Sequence, residues 1–103
     1  MEISNLDYIP GKEIEALGLV KGAVVDSKNI GHDFMAGMKT IVGGEIKGYT
    51  SMLSEARDIA LGRMKNEAEA LGADAVINIH FSSASIMQGA AEILVYGTAV
   101  KFK

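Results

Sequence analysis

Glu92-Ile93-Leu94-Val95-Tyr96-Gly97-Thr98-Ala99-Val100-Lys101-Phe102 is the stretch on which the fold turns. β-Branched and aromatic residues fill it, and successive side chains of a strand point to opposite faces. Leu94, Tyr96, Val100 and Phe102 then share one face, and Ile93, Val95 and Ala99 share the other. Both faces are apolar, so both need a cover. A single helix layer covers only one of them. The other requires a second helix or another subunit.

Working outward, Ala75 to Ser82 alternates in the same way, with Ile77, Ile79 and Phe81 on one side and Val76, Asn78 and His80 on the other. A polar turn around Ser83-Ala84-Ser85 and Gln88-Gly89 is expected to join the two strands. Upstream, Ser51 to Leu71 changes to helical spacing. Leu53, Ala56, Ala60, Met64 and Leu71 form one stripe, and Glu55, Asp58, Lys65 and Glu69 lie opposite. Thr50 or Ser51 can cap its first turn, and Gly72 stands where a left-handed residue ends a helix. Gly62 faces away from the stripe, where it costs about 1 kcal/mol against alanine.

The first third follows from a turn at Pro10-Gly11. Glu13 to Val25 reads as a strand whose alternation breaks at Gly18, the place for a bulge. Ile30, Phe34, Met38 and Ile41 recur at helical spacing, with Asn29 or Asp33 as cap and Gly43-Gly44 as the stop. The expectation is one α+β domain over residues 1–103, with an antiparallel-rich sheet, one long helix and one shorter helix.

Composition narrows the function. Apolar residues are 49% of 103, high for so short a chain, and part of that surface is expected to meet a partner subunit. Ten basic and thirteen acidic residues give a net charge of −3 without a basic stripe, so neither nucleic acid nor a membrane surface is an expected partner. There is no cysteine, which excludes disulfides, thiolate metal sites and a cysteine nucleophile, and fits a reducing cytoplasm. Met1 to Asn5 lacks the basic and apolar regions of a signal peptide, and no apolar run reaches the roughly 20 residues that span a bilayer.

Several blocks resemble a known family. Asn29-Ile30-Gly31, then Ile41-Val42-Gly43-Gly44-Glu45-Ile46-Lys47-Gly48-Tyr49-Thr50, Glu55-Ala56-Arg57, Glu67 to Val76, and Tyr96-Gly97-Thr98-Ala99-Val100 are similar to the YbjQ-like family over essentially the whole chain. The resemblance implies a dodecin-like α+β subunit that assembles into an oligomeric ring, a pentamer whose strands build a central barrel. A heavy-metal-binding label goes with that family, without an agreed set of ligands or catalytic residues.

Each candidate site has a plain structural alternative. His32, Met35 and Met38 climb one side of a helix within about 120°, a set that could hold a soft ion. In the alternative, Met38 fills the core, Met35 flanks it and His32 sits in the first turn. His80 is a fourth metal candidate, or else a satisfied or interface histidine. Glu67 lies only about 40° from the apolar stripe. It is a buried acid or metal ligand, or it pairs with Arg63 at the helix border or across a subunit contact.

The Gly43 to Gly48 turn faintly resembles a phosphate loop. Tyr49, however, stands where the lysine belongs, so its glycines more simply supply positive φ between helices. N–H groups near Thr50 and Ser51 could still hold an anion. Neither histidine sits in a nucleophile motif, and Glu67 and Glu69 point about 200° apart on a helix.

The expected function is therefore a self-assembling cytoplasmic protein, a non-catalytic homo-oligomer that binds a small ligand or metal ion. The alternative is an anion- or nucleotide-binding module or enzyme built on Gly43–Gly48. No cofactor beyond a metal ion is implied.

Overall fold

The computed structural model describes residues 1–25, 47–87 and 90–103. Four strands form one mixed sheet: β1 (Glu2–Ile3), β2 (Ile14–Val25), β3 (Ala75–Met87) and β4 (Ala90–Phe102), with helix α1 (Lys47–Ala70) between β2 and β3. Their order is β1-β3-β4-β2. β4 pairs antiparallel with both β2 and β3, and β1 adds a short parallel rung that places Glu2 opposite Ala75. The shorter helix expected between Asn29 and Gly43, with His32, Met35 and Met38, lies outside the described residues.

The two faces of β4 are those its sequence implies. On one, Ile93, Val95 and Ala99 pack with Val20, Ala56, Ala60, Met64 and Ala68 beneath α1. On the other, Val100 joins Ala75, Ile77 and Ile9, with Ile14 and Phe102 alongside. The bulge in β2 falls where expected: the register shifts between Ala16 and Gly18, and Gly18 has φ +138°.

Three expectations need correction. First, β3 does not turn at Ser83-Ala84-Ser85. It continues to Met87, because Ser83 and Ser85 find ladder partners in Ile93 and Ala91. Exposed serines are compatible with a strand in register with β4, and composition alone concealed this.

Second, the alternation in β3 breaks. Ile77 pairs with Thr98 and His80 with Tyr96, so Asn78 and Ile79 together oppose Gly97. Asn78 takes the left-handed conformation at φ 54°, which asparagine tolerates better than most residues. Ile77 therefore packs on the face away from α1, and Ile79 packs on the face beneath it. The two were expected on one side.

Third, α1 begins at Lys47, so Gly48, Tyr49 and Thr50 are helical and neither Thr50 nor Ser51 is its cap. Gly48 weakens a helix by only about 1 kcal/mol and did not end this one. At the other end the chain leaves as expected. Gly72, at φ +77°, donates to Glu69 O (2.9 Å), and Ala73 donates to Ala68 O (3.1 Å), the paired bonds of a Schellman turn. That turn takes Leu71 off the helical line. Leu71 is exposed, and Ala68 closes the buried stripe instead.

Candidate functional site: the sheet face opposite α1 and the outer edge of β2

α1 lies mainly over β2 and β4, on one face of the sheet. Among the described residues, the opposite face is covered at one end only, where Ile9 and its neighbours pack on Val100 and Ile77. Beyond Val100 no described element lies over it. Leu19 is 67% exposed, Val25 54% and Tyr96 38%, all on this face by register, with Leu94 half-buried between them. A single-chain fold has no reason to present such a row to water.

His80 lies on the same open face, opposite Tyr96. The two rings stack with centroids 5.7 Å apart and planes at 29°. His80 Nε2 is 3.2 Å from Asn78 Oδ1. With the proton on Nε2 the ring donates to that carbonyl oxygen, and Nδ1 remains an acceptor. The left-handed turn at Asn78 thus holds the imidazole flat against Tyr96. Lys21, opposite Tyr96 on β2, is the nearest cation by register.

A heavy-metal centre does not fit what surrounds His80. Among the described residues no three His, Asp or Glu side chains converge, and the chain has no cysteine. The imidazole brings one nitrogen, with an amide and a phenol ring as companions. His32, Met35 and Met38 lie outside the described residues.

The other candidate acid, Glu67, is exposed in this chain and not buried. Arg63 does not pair with it. Arg63 Nη1 donates instead to Ala23 O at 2.6 Å, across to the edge of β2. Arg63, Glu67, Lys21, Gly22, Glu92 and Leu94 line an open cleft of about 490 Å³ that follows this edge. Gly22 makes the approach feasible: a Cβ there would overlap Ala60 O and lie 2.5 Å from Met64 N. Sequence reasoning weighed Gly62, which has open space around it, and overlooked Gly22. Strand glycines carry no local sign of a helix crossing them.

The helix start also moves. With α1 beginning at Lys47, its free N–H groups are those of residues 47–50, so Ser51 is already bonded within the helix. Of the Gly43 to Gly48 turn, Gly48 is helical and residues 43–46 lie outside the described residues. No helix among the described residues is long and apolar enough to cross a membrane.

Comparison with known proteins agrees with this fold. A family model described as "Putative heavy-metal-binding" matches residues 1–103. A UPF0145 protein of Clostridium novyi is 60% identical, covering 98% of each chain. A UPF0145 protein of Thermotoga maritima is also 60% identical, over 100% of this chain and 98% of its own. Among solved structures, a Pediococcus pentosaceus protein of unknown function from the DUF74 family superposes with a TM-score of 0.70 at 15% identity, covering 100% of this chain and 98% of that one. That likeness supports the fold. The chain belongs to the YbjQ family of UPF0145 proteins.

Proposed function

We propose that this protein is a non-catalytic self-assembling subunit whose copies close into a cytoplasmic ring, with the sheet face opposite α1 as the main contact. The open row of Leu19, Val25, Leu94 and Tyr96 carries the reading. Burying apolar surface contributes about 25 cal/mol per Å², so a second copy on this row gains what the single chain leaves exposed. A ring of five is the form that the family resemblance implies. Clefts between copies are the place we assign to an ion or small ligand; among the described residues of one chain no three His, Asp or Glu side chains converge.

Size-exclusion chromatography with light scattering tests assembly. A single species near five times the 10.9 kDa chain mass is expected, and a strict monomer at micromolar concentration would remove the reading. Metal analysis of untagged protein, followed by Cu(I), Ni(II) and Zn(II) titration, tests the ion. Binding unchanged in both His32→Ala and His80→Ala would exclude the histidines.

A further inference from the structure

We propose that Arg63 is a stop on a strand-adding edge: it closes one rung of β2, so that a second copy pairs along Leu19 and Lys21 and no further. This rests on the self-assembly reading above and adds how two copies meet.

The ladder gives the direction of each peptide group. Asp74 N–H donates to Val100 O at 2.9 Å, so even-numbered residues of β4 turn their peptide groups to β3 and odd-numbered ones to β2. Val76, opposite the odd-numbered Ala99, accordingly points outward and accepts from Ser4 N–H at 3.0 Å. By the same parity Leu19, Lys21, Ala23 and Val25, opposite Thr98, Tyr96, Leu94 and Glu92, direct N–H and C=O away from β4. No described strand pairs with that outer edge. The outward groups of β3 past the bulge belong to Phe81, Ser83 and Ser85, opposite Val95, Ile93 and Ala91, and β1 reaches only Ala75 and Val76.

An edge of this length that no described strand pairs with is a template for another strand. Joining β2 to β2 would set the Lys21 side chains of two copies on one short ladder. β3 from Phe81 to Ser85 holds no charge, so the outer edge of β3 in a second copy is the matching partner. Such a contact is head-to-tail, the kind that closes into rings. At Ala23 the guanidinium already occupies the place where the neighbouring strand's N–H would sit. Pairing therefore ends there, and the register cannot slip two residues toward Val25.

Residue-resolved amide exchange of the assembly and native mass spectrometry of wild type and R63M test this. Methionine keeps the side-chain stem against the helix and removes the donor. In the wild-type assembly the Lys21 amide should exchange roughly 100-fold more slowly than that of Ala23, although both point outward in the isolated chain. In R63M, with circular dichroism unchanged, protection should spread to Ala23 and the single mass should split into several. Equal protection at Lys21 and Ala23 in wild type, or an R63M assembly identical to wild type, overturns the role of Arg63 and leaves assembly standing. A monomeric wild type overturns both. If R63M does not fold, the wild-type exchange pattern alone decides.

Discussion

At the scale of single residues, two positions hold the fold in ways their neighbours in sequence do not announce. Gly22 is where α1 meets β2, and any Cβ there overlaps the Ala60 carbonyl. Gly22→Ala should force the helix outward and cost about 3 kcal/mol, read from the midpoint of a urea transition. Gly62→Ala is the control: with nothing near its Cβ and a helical backbone, it should gain up to about 1 kcal/mol. Asn78 is the second position. Its left-handed backbone sets the bulge that turns Ile77 and Ile79 to opposite faces. Asn78→Gly should therefore hold the wild-type stability, and Asn78→Val should lose about 1–2 kcal/mol from strain alone. Glycine was legible in the sequence as a residue type and asparagine as a tolerated substitute. The need for either came from a partner strand or helix far along the chain.

Elements were more legible, because periodicity is local. The stripe from Leu53 to Met64 in α1, the bulge at Gly18, the left-handed stop at Gly72 and the two faces of β4 all follow from spacing of 3.6 or 2 residues. What spacing missed depended on pairing. β1 is two residues long and exists because Ala75 and Val76 offer it an edge. Ser83 to Ser85 is a strand because β4 runs beside it. The same distinction decides how side chains of α1 respond to truncation. Met64 is fully buried between α1 and the sheet, in the core with Val20, so Met64→Ala should cost about 3 kcal/mol through lost burial and a cavity. Leu71 belongs to the same sequence stripe but is 50% exposed within the Schellman turn, and Leu71→Ala should stay within about 0.5 kcal/mol. Thermal unfolding of the two variants side by side would separate the buried stripe from its apparent continuation.

At the scale of the whole molecule, the surplus of apolar residues becomes a location. The described structure extends 53 × 25 × 17 Å, with a radius of gyration of 16.7 Å against roughly 13 Å for a rounded domain of this length. Among the described residues, α1 lies mainly over β2 and β4, and no described element covers the opposite face beyond Val100. Composition could show that apolar surface was in excess; only register could show that Leu19, Val25 and Tyr96 share one face, while Phe81 and Ile59 are exposed elsewhere. The candidate metal residues were less legible, because convergence of side chains is a property of the fold and not of spacing.

Leu19 offers the decisive variant at this scale. In an isolated chain a two-thirds-exposed leucine contributes little, so Leu19→Asp should shift monomer stability by no more than about 0.5 kcal/mol. In an assembly the same carboxylate would be taken out of water onto an apolar face, at a cost of several kcal/mol in each copy. The variant should therefore keep its circular dichroism while its mass falls to that of one chain. A Leu19→Asp protein that retains the wild-type mass would show that copies meet through another surface, and that the open face is exposed in the assembly as well.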